Sequence, residues 1–125
     1  MRSIRLLPLF ALVALSACSD EGPVSGPGTL TATLLSPNGS EGAALVVLVG
    51  EGVGGVTPVG STEVFAQVEG AATNIVLINQ AGGELSFRVA LADTLMPPEA
   101  VVQEVAGPDD ELRSALLDYA LVFSR

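Results

Sequence analysis

The chain has 125 residues, 14 Asp and Glu against 5 Lys and Arg, and a formal net charge of −9 at pH 7. It contains no His, no Trp and no Lys, which excludes a Ser-His-Asp triad, a Cys-His dyad, a histidine zinc site and a lysine Schiff base. An acidic surface of this kind repels nucleic acid, and the single cysteine, Cys18, leaves no internal disulfide to form.

The first element is an export signal. Arg2 and Arg5 make a basic start, Leu6 to Leu15 is apolar apart from Pro8 and Ser16 and Ala17 are small residues just before Cys18. The apolar run falls short of the roughly 20 residues that span a bilayer, so it reads as a removable signal rather than a transmembrane helix. Leu15-Ser16-Ala17-Cys18 resembles the lipobox of bacterial lipoproteins. That resemblance covers residues 1–18 only. It implies that the Cys18 thiol takes a diacylglyceryl group, that residues 1–17 are removed and that the new amino terminus is acylated. An ordinary secretory signal is the alternative reading, but it leaves a lone thiol in an oxidising compartment. At about 0.8 kcal/mol per buried methylene, two or three acyl chains hold a protein on a membrane essentially permanently. Ser19 resembles the residue that follows the cysteine in the outer-membrane class. The expected location is therefore the bacterial envelope, with the outer membrane as partner through the lipid on Cys18.

Removal of residues 1–17 takes Arg2 and Arg5 with it and leaves Arg88, Arg113 and Arg125 against all 14 carboxylates. Such a balance favours a basic partner, although an acidic surface also serves solubility. Residues 18–28 carry the lipidated cysteine and SDEGPVSGPG, a flexible linker with a root-mean-square span of about 17 Å. Residues 29–125 then form a single domain.

From Thr29 onward, β-rich runs alternate with turn residues at intervals of about 8 to 12, the rhythm of an all-β sandwich or barrel. Leu30, Ala32 and Leu34 alternate with Thr29, Thr31 and Thr33, as in a strand with one wet face. Pro37-Asn38-Gly39 supplies a turn, and Asn38-Gly39-Ser40 is read as turn chemistry rather than as a glycosylation acceptor. Ala43 to Val49 and Ile75 to Ile78 are apolar throughout, so both are expected to be central strands with both faces covered or nearly so. Between them, Gly50-Glu51-Gly52-Val53-Gly54-Gly55 matches G-x-G-x-x-G, but a dinucleotide fingerprint must open a helix and Val56-Thr57-Pro58 does not continue as one. The segment reads as a mobile glycine loop.

Glu84 to Leu91 has the cleanest period of two, with Leu85, Phe87, Val89 and Leu91 on one face, and Ala81-Gly82-Gly83 reads as the hairpin turn feeding it. Pro97-Pro98 breaks the chain, and Val101 to Ala106 reads as a bulged strand. Asp109 is placed as the cap of a short helical turn bearing Leu112 and Leu116 on one side, with Tyr119 to Phe123 as the closing strand. The expected fold is a single antiparallel β-sandwich of about seven strands, similar to immunoglobulin-like or cohesin-like modules.

No residue is assigned a catalytic, cofactor-binding or metal-ligating role, and no small-molecule substrate is evident. Asp109, Asp110 and Glu111 form the densest acidic cluster, but their spacing matches no calcium loop, and a solvated helix start is the plainer account. Phe65 stands apart. In Ser61 to Glu69 it falls with Glu63, Gln67 and Glu69 on the wet side, opposite Val64, Ala66 and Val68, and so marks either a contact surface or a place where a loop or bulge hides it. The leading functional expectation is a non-catalytic lipoprotein presenting a binding or structural β-sandwich, with a possible protein partner in the envelope. The alternatives are an acidic inhibitor or immunity-type protein directed at a basic enzyme and, third, a hydrolase working with carboxylates alone. Sugar binding is disfavoured by the absence of Trp and the single Tyr.

Overall fold

The computed structural model describes residues 26–125, so the expected signal, Cys18 and most of the tether lie outside the described residues. Eight strands follow in order: β1 (Gly28–Leu35), β2 (Glu41–Val49), β3 (Val53–Pro58), β4 (Glu63–Glu69), β5 (Ala72–Gly83), β6 (Ser86–Leu91), β7 (Glu99–Ala106) and β8 (Ala120–Ser124). They form two four-stranded sheets, β3-β6-β1-β8 and β4-β5-β2-β7, and every paired neighbour is antiparallel. This is the expected β-sandwich with one strand more than the sequence suggested. The extra strand is β3, which occupies what was read as a mobile glycine loop. It pairs with β6 alone; at a sheet edge, one side of the backbone needs no partner, so Gly54, Gly55 and Pro58 are tolerated. Val53 and Val56 pack against the core and hold it down.

The core is built by the period of two. Leu30, Ala32 and Leu34 of β1 and Phe87, Val89 and Leu91 of β6 face Ala44, Val46 and Leu48 of β2 and Ile75 and Leu77 of β5. Phe87, among the largest of the fully buried side chains, has no exposed surface. Ser86 is buried out of phase, and its polar groups are met by the Thr33 hydroxyl at 2.9 Å and by Thr62 Oγ1, which accepts from the Ser86 N–H at 3.3 Å. The bulge expected in β7 lies where pairing passes from Leu45 with Glu104 to Val46 with Val102, which leaves Gln103 as the extra residue.

Three expectations are corrected. Ala81-Gly82-Gly83 is no hairpin turn: it ends β5, which pairs with β4 and β2, whereas β6 pairs with β1 and β3, so here the chain crosses between sheets. Gly82 at φ 83° and Gly83 at φ 156° supply the left-handed backbone for that crossing. The helical turn capped by Asp109 is also absent. Residues 107–119 run as turns around an isolated bridge between Ala106 and Leu112. Asp110, at φ 68°, breaks any helical path, and the Arg113 N–H donates to the Val105 carbonyl at 2.7 Å instead of to a helical neighbour. Leu116 packs on the core while Leu112 is 68% exposed, so the two leucines do not share a face.

The third correction concerns β5. Both β2 and β5 are central strands, as expected, and β2 is nearly covered on both faces, its outward Val47 being 7% exposed and only the terminal Val49 40%; on β5 the outward Val76 remains 38% exposed. In the adjoining β4, Val64 turns toward the core and Phe65 away from it. Phe87→Ala is therefore expected to cost about 4 kcal/mol and Phe65→Ser less than about 1 kcal/mol in urea denaturation. A large loss in Phe65→Ser would place that ring in the core and contradict the register.

Candidate functional site

The β4-β5-β2-β7 sheet turns an ordered array of side chains outward. Its ladders align Phe65 with Val76, Val76 with Leu45 and Leu45 with Glu104. On one side of that row lie Glu63, Ile78, Ala43 and Ala106; on the other lie Gln67, Asn74, Val47 and Val101, then Glu69, Ala72, Val49 and Glu99. Side chains directly opposite in an antiparallel pair stand about 5 Å apart, so each row is continuous. The two central strands contribute mostly apolar groups and the two edge strands contribute the carboxylates.

Phe65 is 59% exposed in this array, with neither a loop nor a bulge hiding it: β4 pairs with β5 without a register break from Glu63 to Glu69. Two shallow depressions flank Val76. One, of about 370 Å³, is bordered by Phe65, Ala66, Gln67 and Asn74. The other, of about 260 Å³, is bordered by Ala43, Leu45, Glu104 and the exposed Leu112. The opposite sheet is mixed outside. Its outer face places Thr31 between Arg88 and Ser124, with Thr57 beyond Arg88, but also sets the exposed Val122 beside Thr33 and the exposed Leu35 at the end of the same strand. Polar residues on a wet sheet face are the ordinary pattern; an apolar wet face calls for a covering partner.

A second constellation, which the sequence reading missed, closes one end of the sandwich. Glu41 opens β2 and is 1% exposed. Its Oε1 accepts from Arg113 Nε at 3.0 Å and lies 3.0 Å from Arg113 Nη2, while its Oε2 accepts from Ser36 Oγ at 2.5 Å and from the Tyr119 hydroxyl. Asn38 Nδ2 donates to that same Tyr119 oxygen at 2.8 Å. Burial works to raise the Glu41 pKa, but the hydrogen bonds from Ser36, Tyr119 and Arg113, with the Arg113 charge, outweigh it and hold the carboxyl below its ordinary range. The bond to Glu41 in turn raises the Arg113 pKa.

A cleft of about 380 Å³ adjoins this network, and both Glu41 and Glu84 border it. An acid catalyst must carry a proton at working pH and a base needs a free lone pair. Glu41 is ionised and surrounded by donors, so it acts as a strut tying residues 113 and 119 to the sandwich, and it lends no support to a carboxylate-only hydrolase. Simple alternation would set Glu41 in phase with Ala43 and Leu45 on the wet face. A register shift between Glu41 and Ala43 turns it inward instead, at Gly42, where a Cβ would lie 2.8 Å from the Gly107 carbonyl oxygen.

Asp109, Asp110 and Glu111 lie on the turn beyond β7, where Asp109 Oδ1 accepts the Glu111 N–H at 3.3 Å within the turn itself. Among the described residues, no group of three or more Asp, Glu, Cys or His side chains is gathered for a metal ion. Cys18 lies outside the described residues. Comparisons with protein families, with curated proteins and with solved structures give no match to this chain.

The Glu41 network has a definite pH signature. A carboxyl held below its unfolded value contributes stability above that value, and the contribution is lost as the pH falls through the folded value. Glu41→Gln is thus expected to be less stable than the parent at neutral pH and to lose less on acidification below the ordinary value of 4.5, read from denaturation curves across pH. Tyr119→Phe is expected to cost about 2 kcal/mol, since it removes a hydrogen bond to a charged group. Parallel acid profiles for parent and Glu41→Gln would contradict the network.

Proposed function

We propose that this is a non-catalytic lipoprotein of the bacterial envelope, anchored through Cys18, that presents its β-sandwich as a binding module. The observation that carries the reading is the outward row of Phe65, Val76 and Leu45, set on a sheet face where water ordinarily selects polar side chains. The resemblance of Leu15-Ser16-Ala17-Cys18 to a lipobox supports the anchor.

The point where the domain leaves its tether bears on how the module is held. The Gly26 N–H donates to Asp93 Oδ1 at 3.2 Å and the Gly26 carbonyl accepts from the Thr94 N–H at 3.0 Å, so the chain enters the domain beside the loop of residues 92–98. That loop carries the exposed Leu95 and Met96. An acidic inhibitor directed at a basic enzyme is the second reading, favoured by Glu63, Glu69, Glu99 and Glu104 around the same face.

Two measurements test the proposal. Mass spectrometry of the native protein is expected to find an N-terminal peptide beginning at a lipid-modified Cys18; a chain beginning at Met1, or a bare thiol at Cys18, contradicts the anchor. In a mild-detergent envelope extract the parent is expected to elute as a complex larger than its monomer and Phe65→Ser as the monomer. Equal elution of the two contradicts the use of this face.

A further inference from the structure

We propose that the outer face of the β4-β5-β2-β7 sheet receives a cationic amphipathic helix, whose apolar stripe covers the Phe65, Val76 and Leu45 row while its Lys or Arg side chains meet the carboxylates at the sheet edges. The proposal rests on the reading of this protein as a binding module and names the chemistry of the partner. Charge complementarity is its first support. The four strands of the sheet contain no Lys and no Arg, whereas Glu63 and Glu69 stand on one edge strand and Glu99 and Glu104 on the other. The apolar groups lie between them.

Dimensions point the same way. Four strands spaced about 4.8 Å apart set the two acidic edges about 14 Å from each other, and a helix with its side chains is about 10–12 Å across. A helix laid between the edges carries basic residues on its flanks within reach of both. The depressions on either side of Val76, of about 370 and about 260 Å³, offer seats for two apolar side chains, and the exposed Leu112 stands beside the second. Like charges decide against the other occupants: a second copy would bring Glu63, Glu69, Glu99 and Glu104 against their own equivalents, and an anionic membrane would be repelled.

The test uses the mature chain with Cys18→Ser, which carries no lipid, and an amphipathic helical peptide of leucine and lysine as the probe. Calorimetric titration is expected to show one-to-one binding that weakens with added salt and falls at least about tenfold in Phe65→Ser and in Glu63→Gln/Glu104→Gln. Glu51→Gln/Asp118→Asn, exposed acidic residues outside the four strands of this sheet and outside both depressions, is expected to bind like the parent, and a leucine and glutamate peptide not at all. Should Phe65→Ser fold poorly, Leu112→Ser at its exposed position repeats the comparison with the same expected loss. Absence of binding, or an equal loss in Glu51→Gln/Asp118→Asn, overturns the proposal. So does self-association of the parent in sedimentation, or its binding to phosphatidylcholine vesicles in place of the peptide. If Phe65→Ser breaks the envelope complex while the leucine and lysine peptide fails to bind, the module stands and only the cationic partner is overturned.

Discussion

The pairing of Phe65 with Val76 in the β4–β5 ladder governs which side chains meet the core and which meet the outside. Strand side chains alternate with a period of two, so a slip of one residue would carry Phe65 toward the core and turn Val64 out. Three constraints act against that slip. Gly70, at φ 63°, and Ala71 make a two-residue hairpin that places Glu69 opposite Ala72. Ile75 and Leu77 are wholly buried on the inner face of β5, and β2 fixes β5 from its other side by setting Leu45 against Val76. The apolar outer face follows from the same packing that builds the core.

The sandwich treats its two outer faces differently, and its one wholly buried carboxylate differently again. Thr29, Thr31 and Arg88 face water on one sheet, with Val122 and Leu35 among them; on the other, Phe65 and Val76 with Leu45 beside them form a row without a charged or hydroxyl group that gains from cover. Glu41 is taken inside because Ser36, Tyr119 and Arg113 replace its hydration with directed donors. The cost of burying that charge is offset by what it organises: it draws Arg113 and Tyr119, from the irregular stretch after β7, onto the end of the fold. The close approach of Gly42 to Gly107 is what brings this stretch near enough.

Legibility in the sequence followed the strength of the local signal. β1 and β6 were readable because their alternation is clean, and Leu30, Ala32, Leu34, Phe87 and Val89 are all buried as the pattern requires. β3 was hidden by Gly54, Gly55 and Pro58, which read as a loop unless its place at a sheet edge is known. Residues 109–116 carried helix signals, a capping Asp and leucines four apart, that the left-handed Asp110 and the pull of Glu41 on Arg113 override. Glu41 escaped notice because a register shift at Gly42 reverses its phase. Phase alone put Phe65 on the wet side of its strand, and the unbroken β4–β5 register decided that no loop or bulge hides it. The rest of its face was not legible: an all-apolar strand buried on both sides and one that keeps an apolar side for a partner have the same sequence, and only the absence of a third layer over Val76 and Leu45 among the described residues separates them. The expected export signal and Cys18 belong to residues outside that description.

The most direct test of the outward Phe65 face is the set of nuclear Overhauser contacts made by the Phe65 ring in the isotopically labelled mature protein. The expected result is contact with the methyl groups of Val76 and none with Leu77 or Phe87. Contacts from the Phe65 ring to Leu77 or Phe87 would mean that β4 is shifted by one residue, and the apolar face, with the binding role proposed for it, would be contradicted.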